Sequence, residues 1–264
     1  IVFEAGSLAV YSILIGLVAL LTVAMLSCGN PLEDETYHRP VGEGPWILVD
    51  LYHTRKQNPE DYHLYKGNYS YQGVFGFRRA FNHLEDNDYK WTSIRTLPLS
   101  RQRLEGFDIL FINLVDDRRP RFSADEIDAV TEWVQNGGGL FVIVDHTNVY
   151  SHAARTNPLI EPMGIEALYH TATDSPPEYS VAGRAWVMAF DMTEHPVTEG
   201  VEMVSMQTGG ALETDHGVVR TSEESFADLW NPDEPTGHYG NWQHDGDDEV
   251  EPRGPLPIVA ARQF

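Results

Sequence analysis

Two short apolar segments dominate the hydrophobic pattern in the middle of the chain: residues 107–112 (FDILFI) and residues 140–144 (LFVIV). Continuous apolar runs of this length are typical of strands that are covered on both faces, as in a parallel sheet. Each run is followed by acidic, amide or imidazole side chains. The pattern therefore predicts two buried strands whose carboxyl ends carry polar chemistry.

A helix is predicted between these two strands. Ser123 followed three residues later by Glu126 has the spacing of an N-terminal capping box, and the glycines at 137–139 end the helix. Strand, helix and strand in this order make a βαβ unit, and ligands of open α/β sheets bind beyond the carboxyl ends of such strands. The predicted apolar face of the helix consists of Ile127, Val130, Trp133 and Val134.

Further apolar segments extend this pattern on both sides of the unit. Residues 46–51 (WILVDL) and 91–94 are predicted strands, with a helix between them near residues 74–85. Strands that alternate with helices predict an α/β domain with a mostly parallel sheet and helices on both faces. Beyond residue 146, a short helix is predicted at 157–164 and strands at 185–190, 203–206, 217–219, 225–230 and 258–261.

The N-terminal segment is a candidate membrane segment. Residues 7–27 form an uninterrupted apolar run, long enough as a helix to cross ~30 Å of hydrocarbon. Residues 25–28 (MLSC) resemble a bacterial lipobox, in which Cys28 would be lipidated. Residues 1–29 are therefore predicted to be a transmembrane anchor or a lipoprotein signal, with a buried soluble helix as the third alternative.

Residues 30–45 are acidic and rich in proline and glycine, which is the composition of a linker. This segment has no basic residue before Arg39, and positive charge normally stays on the cytoplasmic side of a membrane. The domain that follows, residues 46–264, is therefore expected on the extracytoplasmic side of the cell membrane. Its last strand precedes no visible partner strand, so we expect the domain to be cut short after Phe264.

The charge balance narrows the classes of partner. Forty acidic residues against eighteen basic ones give a formal net charge of −22, which disfavours nucleic acid and anionic lipid headgroups. A solvated acidic surface explains this charge, and cation binding is the alternative. The single cysteine, Cys28, excludes an internal disulfide, a multi-cysteine metal cluster and cysteine catalysis in the domain that follows it.

Polar residues follow three of the predicted strands, and in a parallel sheet their positions converge on one rim. We expect a ligand pocket between the three loops. The alternative is that these side chains cap turns and helices. The candidate ligand-binding residues are Asp50, His53, Asn113, Asp116, Asp145, His146 and Asn148, with Asp117 beside them.

Some of these residues suit two kinds of chemistry. Oxygen and nitrogen ligands at one rim could hold a divalent cation, although no cofactor is predicted and no tight ligand spacing such as HExxH occurs. His146, oriented by Asp145 or Asp50, could act as a general base for ester or glycosidic hydrolysis, or it could be a satisfied turn histidine. The candidate metal ligands are Asp50, His53, Asp145, His146 and His152.

Aromatic residues crowd the loop after the first strand. Aromatic faces interleaved with amide side chains suit a carbohydrate or peptide partner, and a loop that packs on its own aromatics is the alternative. The residues concerned are Tyr52, Tyr62, Tyr65, Tyr69 and Tyr71, with Asn58, Asn68 and Gln72 between them.

With these segments placed, the chain resembles the class I glutamine-amidotransferase-like superfamily. The resemblance rests on FDILFINL, SADEIDAVTEWVQNGGGLFVIVDHTN, EHPVTEGV and PIVAA, and so covers residues 46–261. It is nearest to a bacterial branch related to auxiliary subunits of gliding-motility ABC transporters and to trehalose-utilisation-like proteins. The resemblance implies a flavodoxin-like sheet.

One departure from that superfamily bears on function. The strand corresponding to residues 140–144 leads, in the amidotransferases, to a turn bearing a nucleophilic cysteine, whereas residues 145–148 here read DHTN. Relatives without the nucleophile resemble binding or scaffolding domains. The resemblance therefore implies a non-catalytic binding or assembly module of a bacterial envelope complex. The alternative is a hydrolase of a glycan or related envelope substrate that uses His146 and Asp145, with or without a metal.

These two functions predict different geometries. An enzyme needs His146 within hydrogen-bond reach of a carboxylate in an open cleft. A scaffold would instead have the polar rim engaged by backbone amides, and would carry an apolar patch elsewhere for its partner.

Overall fold

A four-stranded parallel sheet forms the first half of the domain. Its strands are β1 (Trp46–Asp50), β2 (Lys90–Ile94), β3 (Ile109–Asn113) and β4 (Gly139–Ile143), in the order β2-β1-β3-β4. All four predicted strands are confirmed, with bounds shifted by one or two residues. The computed structural model describes residues 40–54, 77–115, 117–181, 183–184, 186–231, 233 and 238–264.

Helices cover both faces of this sheet, as the alternating pattern predicted. Helix α1 (Arg78–Asp86) packs Phe81 on one face against Val49 and Phe111. After the short helix α2 (Arg101–Leu104), helix α3 (Ala124–Gln135) covers the other face, where Val130 joins the buried core. The predicted capping box at the start of α3 is confirmed, because Ser123 and Glu126 exchange side-chain to backbone hydrogen bonds.

Strand β4 lies at the border of the sheet, paired only with β3 among the described residues. Its apolar sequence predicted a strand covered on both faces, and this expectation is wrong for Phe141, whose surface is 55% exposed. The strands that follow β4 in the chain pair antiparallel in other sheets.

The second half of the domain consists of small antiparallel sheets. Helix α4 (His152–Ile160) begins five residues earlier than the predicted helix, and a 3-10 turn at Glu161–Met163 follows it. Because the later strands pair antiparallel, the expectation of a mostly parallel sheet is correct only for β1 to β4. The later strands are β5 (Glu166–Ala167), β6 (His170–Thr173), β7 (Trp186–Ala189), β8 (Asp191–Met192), β9 (Val204–Gln207), β10 (Leu212–Glu213), β11 (Gly217–Arg220), β12 (Phe226–Leu229) and β13 (Pro257–Ala260).

These short strands pair in four groups, β5 with β10, β6 with β12, β7 with β9, and β8, β11 and β13 together. A second hydrophobic core, which includes Ala172, Val187, Val219 and Ile258, lies between them. The predicted strands near residues 185, 203, 217, 225 and 258 are confirmed as β7, β9, β11, β12 and β13. The very short strands β5, β8 and β10 have too few residues to show an apolar period.

Several predictions fall on residues outside the described ranges. These are the membrane segment at 7–27, the lipidation site Cys28, most of the linker, Asp116, and the aromatic loop from Tyr62 to Tyr71. Among the helices of the described residues, none is both long and apolar enough to cross a lipid bilayer.

Candidate functional site

The parallel order brings the carboxyl ends of β1, β3 and β4 to one edge of the sheet. Asp50 is the last residue of β1, Asn113 is the last residue of β3, and Asp145 lies two residues beyond β4. Strand β3 lies between the other two strands. The predicted residues on this edge contact one another in two separate clusters, which are named here after His53 and His146.

The His53 cluster is an ion-paired network inside the domain. His53 Nδ1 lies 2.8 Å from Asp50 Oδ2, and His53 Nε2 lies 3.2 Å from Glu126 Oε1. The second of these contacts has the distance of an ion pair but not the direction of a hydrogen bond. Phe122 packs on the imidazole, with 4.0 Å between ring centroids. Asp50 and His53 are both completely buried.

Both carboxylates of this cluster are also held by the backbone. Asp50 Oδ1 accepts hydrogen bonds from the amides of Tyr52 and His53, at 2.8 and 3.2 Å. Glu126 accepts hydrogen bonds from the amides of Leu99 and Ser123, each at 2.9 Å. Such fully engaged side chains fasten the loop after β1 to the start of α3.

The charges in the cluster determine the protonation of His53. Burial opposes its protonation, but the nearby Asp50 and Glu126 carboxylates outweigh burial and raise the pKa of His53 from 6.5 to about 9. Burial likewise opposes ionisation of Glu126, and its contacts with His53 and Ser123 lower its pKa from 4.5 to about 2. At neutral pH the cluster therefore holds an imidazolium between two carboxylates.

The His146 cluster lies in the turn that follows β4. Asp145 Oδ1 accepts a hydrogen bond from the His146 amide at 2.9 Å and lies 3.5 Å from His146 Nε2. His152 Nδ1 lies 3.8 Å from Asp145 Oδ2. Both histidines are buried, whereas 28% of the Asp145 side chain is exposed.

The other ring nitrogen of His146 points into the protein. Nδ1 lies 3.2 Å from the carbonyl oxygen of His238 and 2.9 Å from Thr147 Oγ1, which itself donates to the same carbonyl. A carbonyl oxygen can only accept, so this contact suits the tautomer with the proton on Nδ1. Nε2 then carries the lone pair, so Asp145 does not orient His146 as the aspartate of a catalytic dyad would.

Burial also lowers the pKa of His146 below its usual value of 6.5, although Asp145 acts in the opposite direction. The ring of Tyr239 covers the imidazole, with 4.6 Å between centroids, and only 4% of His146 is exposed. The arrangement is a neutral, covered imidazole rather than a base in an open cleft.

The backbone of this turn is unusual. Thr147 and Asn148 have φ values of 50° and 69°, and Tyr150 and Ser151 follow with 49° and 62°. Residues other than glycine rarely adopt these left-handed backbone conformations, and a β-branched threonine does so at a cost in free energy. Asn148 Oδ1 accepts a hydrogen bond from the Ala154 amide, in the first turn of α4, at 2.9 Å.

The remaining candidate residues have local structural contacts. The backbone carbonyl of Asp117 accepts a hydrogen bond from the Arg155 guanidinium at 2.8 Å. Among the described residues, no group of three or more His, Cys, Asp and Glu side chains is arranged to hold a metal ion. The predicted divalent cation site stays a prediction.

Sequence reasoning missed a pair of buried carboxyl groups that holds the long loop after β12. Asp228 accepts hydrogen bonds from the amides of Trp242 and Asn241, at 2.7 and 3.3 Å, and Glu251 accepts from those of Asp245 and Leu229, at 2.6 and 3.0 Å. A Cβ atom at Gly240, where φ is +86°, would overlap the Asp228 carboxyl group.

Asp228 of this pair has a raised pKa. Burial raises the pKa of Asp228 from 3.8 to about 7, the two amides oppose this, and the neighbouring Glu251 adds to it. The loop fastened in this way carries His238 and Tyr239 onto His146. The composition of this loop, rich in proline, glycine and aspartate, gives no signal of these contacts.

An apolar cleft of about 350 Å³ runs along the outer edge of β4. One wall is β4 itself, and the others come from the end of α4 and from strands β9, β10 and β13. Asp145 is the one charged side chain in the described lining of this cleft. The β4 cleft, as we call it, includes Leu140, Val142, Ile160, Val204, Met206 and Ile258.

Comparison with known proteins gives a likeness of fold alone. No protein-family model matches the chain, and no curated protein matches it. A solved structure described as the mmIFT52 N-terminal domain is similar, with a TM-score of 0.51 and 13% sequence identity. The similarity covers 73% of this chain and 82% of that chain. At this level of identity the chain shares an α/β fold with that domain.

Proposed function

We propose that the protein is a non-catalytic binding or assembly module of a bacterial envelope complex, and that the β4 cleft is its docking surface. The proposal includes a membrane tether at residues 7–27, an extracytoplasmic domain, and an amidotransferase-like, flavodoxin-like fold without the nucleophile. The observation that carries it is the contrast between a covered polar rim and an open apolar cleft.

The polar rim supports this proposal by its contacts. Asp50 and Asp145 accept hydrogen bonds from backbone amides, and the imidazoles of His53 and His146 are almost completely enclosed. These are the contacts expected of a scaffold, in which polar side chains hold loops. A general base, by contrast, must reach the proton of its substrate.

The β4 cleft supports the proposal by its chemistry. Phe141 is 55% exposed at its border, and the lining is apolar apart from Asp145. Contiguous exposed apolar surface is typical of protein interaction sites. The chain carries a net charge of −22, so it would repel an acidic partner surface.

A hydrolase that uses His146 and Asp145 is the second candidate, and the turn geometry favours it. Thr147 and Asn148 hold left-handed conformations directly after β4, and strained backbone of this kind clusters at active sites. In this alternative, the loop bearing Tyr239 opens to admit a glycan or related envelope substrate, with or without a divalent cation.

Two matched substitutions test the proposal. Phe141→Glu places a charge at the β4 cleft, and Phe190→Glu places the same charge on an equally exposed phenylalanine beside Tyr179. The full chain is purified from native membranes in mild detergent, and the size and composition of its assembly are measured. We expect the wild type, Phe190→Glu and His146→Gln to co-elute with stoichiometric partners, and Phe141→Glu to elute alone.

The opposite result would support the hydrolase. If Phe141→Glu keeps its partners while His146→Gln abolishes an envelope phenotype, the proposal of a non-catalytic binding module is wrong. Circular dichroism checks that Phe141→Glu is folded. We expect a folded variant because the Phe141 side chain is largely exposed.

A further inference from the structure

We infer that the β4 cleft receives one extended strand of a partner protein, which pairs with the free edge of β4 and carries a basic side chain beside Asp145. This inference deepens the proposed function and rests on it, because it names the class of partner that the same cleft would bind. It follows from the backbone of β4, from the lining of the cleft and from its charge.

Two hydrogen bonds fix which backbone groups of β4 point towards β3. The Gly139 amide donates to the Asp108 carbonyl at 2.8 Å, and the Leu114 amide donates to the Ile143 carbonyl at 3.1 Å. Backbone groups of alternate residues in a strand point to opposite neighbours. Gly139 and Ile143 therefore face β3, and the amide and carbonyl groups of Leu140 and Val142 face the cleft.

These outward groups are left open at the edge of the sheet. Within the described part of the chain, no backbone hydrogen bond reaches the amide or carbonyl of Leu140 or Val142. Both residues line the β4 cleft, so their polar groups lie at an apolar surface. Backbone groups in such surroundings are stabilised by a hydrogen-bonding partner.

The spacing of these groups favours a strand as that partner. Leu140 and Val142 repeat their outward groups every ~6.6 Å, which is two residues of an extended chain. A neighbouring strand meets both residues with its own alternate amides and carbonyls. A helix satisfies its backbone groups internally, so it has none to offer this edge.

The sequence of β4 supports the same occupant. Natural edge strands usually carry a lysine, a proline or a bulge that prevents further pairing. The sequence GLFVI of β4 has none of these, and it pairs with β3 in unbroken register. A fully apolar run of this kind is typical of a strand buried inside a sheet, whose two faces are covered.

Charge specifies one further property of the partner. Asp145 lies at the carboxyl end of β4, 28% of its side chain is exposed, and it is the one charged residue in the described lining of the cleft. A lysine or arginine at that end of the incoming strand would be attracted, and an acidic residue would be repelled.

Peptides test the inference on the full chain in detergent micelles. The probe is a short synthetic peptide of valine and isoleucine with a lysine at each end. One control peptide carries N-methyl groups on two consecutive central residues, so that both edges of the strand lose a donor. A second replaces both lysines by glutamate, and a third is helix-forming, made of alanine and leucine with the same lysines. Binding is measured by fluorescence anisotropy.

We expect the probe to bind, and N-methylation to weaken binding at least ~10-fold because it removes backbone donors. The glutamate peptide should bind about fivefold more weakly, and Asp145→Asn should abolish that preference. Amide hydrogen exchange gives the sharpest readout: bound probe should protect the amides of Leu140 and Val142, while those of Phe141 and Ile143 are already protected without it.

Several results would overturn the inference. These are no binding by the probe, equal binding by the N-methylated or helical peptide, or binding that leaves Leu140 and Val142 unprotected. Protection that appears without peptide and grows with protein concentration would assign the edge to a second copy of the chain. If the probe peptide does not bind while Phe141→Glu still releases the native partners, the inference of a partner strand is wrong and the proposed function stands.

Discussion

His53 and His146 each follow a parallel strand, lie beside an aspartate and are almost completely enclosed, yet their pKa values shift in opposite directions. His53 meets a carboxylate on both sides of its ring, from Asp50 and Glu126. His146 meets one carboxylate at 3.5 Å, and its other nitrogen faces the His238 carbonyl.

The difference shows what decides the state of a buried histidine. Burial disfavours the imidazolium in both clusters, and two carboxylates outweigh it where one distant carboxylate does not. At neutral pH His53 is therefore a cation that joins two elements, whereas His146 is a neutral ring under a loop. An aspartate near a histidine in sequence does not distinguish these two cases.

Removing Glu126 should destabilise the His53 cluster strongly. Glu126→Ala leaves the buried His53 cation with one carboxylate and leaves the Leu99 amide without its acceptor. Breaking one side of a buried ion pair typically destabilises a protein by about 4 kcal/mol, so we expect a loss of that size in urea denaturation.

The matched control for this variant is Glu132→Ala on the same helix. Glu132 makes an exposed ion pair with Arg101 and should contribute less than ~1 kcal/mol. Equal effects of the two substitutions would contradict the buried network.

The pH dependence of unfolding should separate the two histidines. The pKa of His53 is raised in the folded protein, so its stabilising contribution is complete below pH 6.5 and is lost as the pH rises through about 9. The pKa of His146 is lowered, so stability falls as the pH falls below 6.5, where the unfolded chain binds more protons. Glu126 adds stability that is complete above pH 4.5 and is lost as the pH falls through about 2.

We expect His53→Gln to remove the alkaline slope, worth up to ~3 kcal/mol, and His146→Gln to reduce the slope below pH 6.5. The free energy of unfolding, measured across this range for both variants, checks the assignment. An alkaline slope that persists in His53→Gln would place the responsible group elsewhere.

Tyr239→Ala should have a small effect that is confined to the His146 cluster. It uncovers His146 without touching the His53 cluster, so the pKa of His146 should rise towards 6.5 as water reaches the ring. Proton NMR titration of the histidine rings measures both values. A change at His53, or none at His146, would show that Tyr239 does not keep His146 buried.

Local patterns predicted the elements better than their partners. The capping box at Ser123 and the strands β1, β3 and β4 are confirmed. Their signals lie in residues that are neighbours in the sequence. Glu126 was predicted only as a cap, because its contact with His53 depends on how α3 packs on the sheet. The pairing of Asp228 with Glu251 was missed for the same reason.

Sequence patterns alone were enough to predict the four parallel strands, the helices packed on them and most of the later strands, because hydrophobic period, helix caps and glycine act over a few neighbouring residues. The sequence also determined that polar residues follow the parallel strands. Which side chains meet depends on the packing of distant segments, since His53 joins Asp50 to Glu126 while Asp145 faces His146 and His152. The tertiary structure also decided that β4 lies at the border of the sheet, because strand order depends on packing between distant segments.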